Sequence, residues 1–265
     1  MYMFSSKVEE HYKFVSEEGK RQGFDVIATC LIGSQNYGLD TPESDVDTIS
    51  IIVPSITHIS CGRAKLDYSY DFEDGGIAKV RDYRSFIMND LRKSCFTNTE
   101  ALYSIKVIVN PAYQTQWNFL MENRELIMRA DYEATIRSTI GYIFSMESRY
   151  EKVGFSGYRE DLGMNSKMFM HTIRACKWIR DFLVNVQKTE EIFDASEFAM
   201  LRDVSNQDTY FEHWKDYIEY TKKALKEKLD NKDYPPFNPA VIEVLEQFCI
   251  MVTTQKVLFS KEAKL

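Results

Sequence analysis

The chain has 265 residues, 44% of them hydrophobic, 28% charged and 14% aromatic, with a formal net charge of −7. This composition excludes a disordered polymer and supplies enough apolar material for one large or two small cores. The acidic balance argues against a broad, sequence-blind grip on nucleic acid, and no apolar run reaches the length that spans a bilayer. The amino terminus, MYMFSSKVEEHYKF, meets Glu and Lys too early for a signal-peptide core, so a cytoplasmic protein with no membrane partner is expected. Five scattered cysteines (Cys30, Cys61, Cys95, Cys176 and Cys249) form no CxxC pair, which argues against a zinc site or a disulfide framework. Cys30 falls inside an apolar run, where a buried thiol is the default.

In chain order, Val8 to Arg21 carries a modest helical pattern, and Phe24 to Ile32 reads as a buried strand closed by Gly33. Val46 to Val53 is β-branched and apolar and ends at Pro54, a second strand. The acidic stretch Asp67 to Gly76 suggests a hairpin turn, Ile77 to Arg81 a third strand, and Asp82 the N-cap of a helix through Leu91. A helix fits Thr99 to Ser104. Further helices are predicted over Gln114–Met128, Tyr132–Val153, Asn165–Val186, Ala195–Arg202 and His213–Leu229. Pro235, Pro236 and Pro239 break the chain before a last helix near Ala240–Val252. The expected class is α+β, a strand-bearing core over residues 1–112 followed by a mainly helical region over 113–265.

One loop concentrates chemistry. Gly33-Ser34 ends the first strand, ten residues intervene, and Asp45-Val46-Asp47 opens the next. Side chains two apart on a strand share a face, so Asp45 and Asp47 are placed to converge. Adjacent carboxylates repel unless a cation lies between them, and Mg²⁺ prefers carboxylate and phosphate oxygens. Gly33 lets backbone approach a phosphate and Ser34 offers donors to its oxygens. The chemistry that suits these groups is metal-assisted phosphoryl transfer.

This arrangement resembles the signature of the polymerase-β-like nucleotidyltransferase superfamily. The longer string GSQNYGLDTPESDVD resembles one branch, the predicted nucleotidyltransferases associated with RNA ligases. The similarity continues at Arg81 to Phe86, Asn98 to Leu102 and Lys167 to Arg174, and more loosely at Leu201 to Asn206. It implies a mixed-sheet catalytic core, a helical partner closing the nucleotide cleft, a nucleoside triphosphate donor (ATP foremost) and Mg²⁺ or Mn²⁺ on Asp45 and Asp47. It also implies a third carboxylate from a later strand, but the aligned position holds Ile77. Asp74 fills the role if the glycine pair shifts the alignment, and Asp82 is the other candidate, although an N-cap explains it equally well.

Lys167, His171 and Arg174 stand at i, i+4 and i+7, on one side of a helix. Spacing alone favours a solvated stripe, whereas the resemblance assigns these residues to phosphate binding. Tyr37 admits either stacking on a base or packing, and Arg202 either a phosphate contact in the helical region or, first, one half of a structural ion pair. His11, His58 and His213 read as surface or satisfied histidines, and Lys222 to Lys228 as an exposed helix face. The implied reaction moves a nucleoside monophosphate onto an acceptor hydroxyl, with an RNA or tRNA 3′ end suggested by the ligase association. A protein or small-molecule acceptor stays open, as does a catalytically idle nucleotide- or RNA-binding module.

Overall fold

The run Phe24–Ile32 is buried along almost its whole length, and it forms the strand β1 at the predicted boundaries. A continuous apolar run of this kind fits a strand covered on both faces. The computed structural model describes residues 2–42, 44–93, 96–184 and 195–262. Glu43 of the loop, Cys95 and the last two residues of the helix expected over Asn165–Val186 lie outside the described residues.

The chain divides into two units, and the division differs from the expected one at residue 112. The first unit comprises Met1–Asn36, Thr41–Ala130 and Asn238–Leu265; the second comprises Tyr37–Asp40 and Asp131–Phe237. The reason is visible at Asp25 of β1. Its carboxylate accepts from the Tyr113 hydroxyl at 2.8 Å and pairs with Lys256 at 2.7 Å, holding residues past 112 and the final helix to the first unit.

In the first unit, α1 (Tyr2–Gln22), β1, β2 (Asp47–Pro54), β3 (Asp67–Asp71), β4 (Ile77–Asp82) and β5 (Val107–Val109) form the frame. The sheet order is β3-β4-β2-β1-β5, with β2 and β4 parallel and the other pairs antiparallel. The fold is therefore α+β with a mixed sheet, as expected. Val15 of α1 packs with Phe24, Val26, Ile52, Ala78 and Val80, so α1 covers one face. Val8 of α1 adds a smaller cluster with Leu31 and Val46. β3 occupies part of what reads as a turn. Its alternation of exposed and half-buried residues marks an edge strand, and the acidic residues take its open side. Asp82 caps the short helical turn Tyr83–Ser85 as predicted, and a wider π-type turn follows over Phe86–Leu91.

The second unit is built on the helices Tyr132–Tyr150, Ser166–Leu183 and Thr209–Asn231. Tyr150, Phe169 and Phe211 pack as mutually tilted rings with centroids 4.7–6.3 Å apart. Lys222 departs from the exposed face expected for it: its ammonium lies buried, 2.8 Å from Glu147 and 2.6 Å from Glu219. Two carboxylates from neighbouring turns and helices offset its desolvation. The helix expected over Ala195–Arg202 is present as a 3₁₀ helix, Ser196–Asp203. No described helix is long and apolar enough to cross a membrane.

Candidate functional site

The β1/β2 register sets Ile32 opposite Asp47, so Gly33 is the first residue past the rung that carries the aspartate. Gly33 has φ +82°, and a Cβ there would sit 3.2 Å from Asp47 Oδ2. Only glycine combines this backbone conformation with so close a carboxylate. The turn Ser34–Tyr37 follows, with the Asn36 amide donating to the Gly33 carbonyl at 3.0 Å and Ser34 half-buried. Buried Gln35 braces the loop from inside: its Nε2 donates to the carbonyls of Asp45 at 3.0 Å and Ser44 at 3.3 Å.

Val46, just ahead of β2, packs against Val8 and Leu31. Asp47 is half-buried and its Oδ1 accepts from the Ile77 amide at 3.1 Å; Asp45 is exposed. Asp45 rests against the β3–β4 turn, where a Cβ on Gly75 (φ +89°) would meet its Oδ1 at 2.8 Å. Asp47 and Asp45 thus each lie close against a glycine at positive φ, Gly33 after β1 and Gly75 in the β3–β4 turn.

The proposed third carboxylate does not join them. Asp74 belongs to the same turn, but its Oδ2 pairs with Lys7 of α1 at 2.7 Å and its Oδ1 accepts from the Gly76 amide at 3.2 Å. The Lys7 hydrogen bond, then that amide, holds its carboxyl below the usual range. Asp82 corrects the expectation more sharply. Thr48 pairs with Ala78 and Ile52 with Asp82, so Asp82 lies five residues along β4 from the Asp47 rung, roughly 16 Å away. Its fully buried carboxylate is taken by Arg84, at 2.6 and 3.0 Å, and by the amides of Arg84 and Leu66. Ile77 occupies the rung beside Asp47, and its partner across β3 is Asp71, an exposed acid that the sequence reading passed over. Asp71 stands two strands from Asp47, about 10 Å.

Among the described residues, no group of three or more His, Cys, Asp or Glu side chains is arranged to hold a metal ion. His11 is a satisfied core histidine, as expected. Its Nδ1 lies 3.0 Å from Thr48 Oγ1, its ring stacks on Phe72 at 4.0 Å, and burial pulls its pKa down.

In the second unit, the helix Ser166–Leu183 carries Lys167, His171 and Arg174 from an exposed end toward the interior. Arg174 is only 5% exposed, and its guanidinium lies 3.7 Å from the centroid of the Tyr37 ring, itself 3% exposed. Tyr37 therefore packs as a platform for Arg174, and the Ala195 amide donates to its carbonyl at 3.0 Å. Burial first, then the charges of Arg174, Lys167 and Arg202, holds the His171 imidazole well below its ordinary pKa. His171 Nδ1 is sealed from solvent and has no hydrogen-bond partner among the described residues. The ion pair expected for Arg202 is absent among the described residues; its sealed Nε and Nη2 find no partner there.

Gln35 and Gly75 lie beside the candidate site and were not singled out by spacing. Gln35 reaches backbone carbonyls through its side-chain amide and Gly75 admits the Asp45 carboxylate by lacking a side chain, and neither leaves a periodic trace. No protein-family model matches the chain, and no curated protein matches it.

Proposed function

We propose that the protein is a metal-dependent nucleotidyltransferase of the polymerase-β-like kind, transferring a nucleoside monophosphate from a triphosphate to an acceptor hydroxyl. The observation that carries this reading is the Gly33–Asp47 approach at 3.2 Å, with Asp45 two residues earlier against Gly75. A glycine at positive φ beside a carboxylate leaves space for a phosphate and a cation where any other residue would fill it. Asp45 and Asp47 would hold Mg²⁺ or Mn²⁺, which supplies charge neutralisation on the phosphate oxygens when bound. Gly33 and Ser34 would position the triphosphate through backbone amide and hydroxyl donors, and Gln35 keeps that loop registered on Asp45.

The acceptor oxygen forms a bond to the α-phosphorus as the bond to the bridging oxygen breaks. Pyrophosphate leaves, and the hydroxyl proton passes to solvent. The helical unit supports the reading through Lys167, His171 and Arg174, whose chemistry suits phosphate. An RNA 3′ end is the acceptor we favour, on the resemblance to proteins associated with RNA ligases. A second reading, a nucleotide-binding module without transfer, draws support from Ile77, an apolar residue on the rung beside Asp47. The two are separated by incubating the protein with labelled ATP, GTP, CTP or UTP, Mg²⁺ or Mn²⁺ and total RNA. Transfer predicts pyrophosphate and labelled RNA; label on protein would redirect the acceptor, and binding without pyrophosphate would favour the idle module.

A further inference from the structure

Arg202 sits in the 3₁₀ helix Ser196–Asp203, and its backbone is fixed. Its carbonyl accepts from Ser166 Oγ and, at 3.4 Å, from Arg159 Nη1. Ser166 is the first residue of the helix that carries Lys167, His171 and Arg174, so the Arg202 backbone is tied to that helix at its start. The side chain is half-buried, with Nε and Nη2 sealed and without partners among the described residues. Burying a charged donor unpaired costs about 1–3 kcal/mol or more, so such a group is retained where an anion compensates it. His171 Nδ1 is sealed and unpartnered in the same region. Among the described residues neither Arg202 nor Lys167 forms a salt bridge with a carboxylate, although the protein carries 40 Asp and Glu.

We propose that Arg202 completes a phosphate-binding site with Lys167, His171 and Arg174, and that its ligand is the phosphate chain of a nucleotide. This rests on the phosphate-binding reading of Lys167, His171 and Arg174 and adds a residue from a separate element. An anion would accept from the Arg202 guanidinium, relieving donors that the protein leaves unmet, and from His171 Nδ1 once that nitrogen carries a proton. A nucleotide phosphate chain suits the set better than an RNA backbone. Seven residues of helix separate Lys167 from Arg174, about 10 Å, and the set runs inward to a buried arginine instead of along an open surface. A net charge of −7 also disfavours a long polyanionic path.

The test is metal-free binding of inorganic tripolyphosphate in EDTA, followed by calorimetry and by the ¹⁵N shifts of the His171 ring. The wild-type protein is expected to bind, with Arg202→Gln weakening affinity at least tenfold, Arg202→Lys recovering part of it, and the His171 ring shifting toward its protonated form. Binding is read without metal and without transfer, so its failure is distinguishable from failure of the transfer reaction. Equal binding by wild type and Arg202→Gln, or no response of His171 in the wild type, overturns the proposal. Should Arg202→Gln fail to fold, the wild-type His171 response decides. A single-stranded RNA oligonucleotide that binds while tripolyphosphate does not would also overturn it.

Discussion

Gly33 and Asp47 meet because the β1/β2 register sets Ile32 opposite Asp47, and a side chain on Gly33 would stand 3.2 Å from the Asp47 carboxylate. Replacing Gly33 by Ala has two separable consequences. The positive φ disfavours any L side chain by about 1–2 kcal/mol, read as a lower urea midpoint. The added methyl also displaces Asp47, so pyrophosphate release is expected to fall by roughly ten- to a hundredfold, in line with the cost of small misplacements in phosphoryl transfer.

Gly75 stands to Asp45 as Gly33 does to Asp47, with a closer approach of 2.8 Å. Gly75→Ala is expected to reduce transfer through Asp45, and raising Mg²⁺ should recover part of the loss if the carboxylate is displaced and not removed. A titration of activity against Mg²⁺ in the two proteins checks this; identical curves would contradict it.

The two candidate third acids should separate by assay. Asp82 is buried, caps a helical turn and pairs with Arg84, so Asp82→Ala is expected to cost on the order of 3 kcal/mol of stability. Its activity per folded molecule should stay within a few-fold of the wild type. Asp74 is exposed and paired with Lys7, so Asp74→Asn should change transfer little. A hundredfold loss in Asp74→Asn would show that its carboxylate swings to the metal pair.

His171 makes stability depend on pH in a stated direction. Its folded pKa lies below its unfolded value of about 6.5, so the unfolded chain binds the extra proton first as pH falls. Stability is unaffected above that value and is lost as pH drops below it. Lys167 and Arg174 on its own helix and Arg202 from the neighbouring 3₁₀ helix act in the same sense. His171→Gln is expected to flatten this part of the profile; His11, shifted in the same direction by burial, leaves a residual slope. An unchanged profile between pH 7 and 5 would contradict the assignment.

Much of this was legible in the sequence. β1 and β2 declared themselves by continuous β-branched and apolar runs, and the N-cap role of Asp82 by an acid placed ahead of a helical pattern. Short elements were not legible: β5, three residues long, is recruited by pairing with β1 and has no pattern of its own. β3 hid because its open edge favours acids that also suit a turn. The unit boundary was missed because Tyr113 and Lys256 reach Asp25 from far along the chain, a tertiary choice that local propensity does not encode. Spacing singled out Gly33, Asp45 and Asp47 as candidates, whereas the ion pair favoured for Arg202 over a phosphate contact is absent among the described residues.

The central claim is that Asp45 and Asp47 hold the cation for nucleotidyl transfer. The most direct measurement is pyrophosphate release from each nucleoside triphosphate with Mg²⁺ or Mn²⁺ and RNA, comparing wild type with an Asp45→Asn/Asp47→Asn variant of equal melting temperature. The account predicts release by the wild type and a loss of several orders of magnitude in the variant. Equal release from both proteins, or none from the wild type with any nucleotide and either metal, would contradict it.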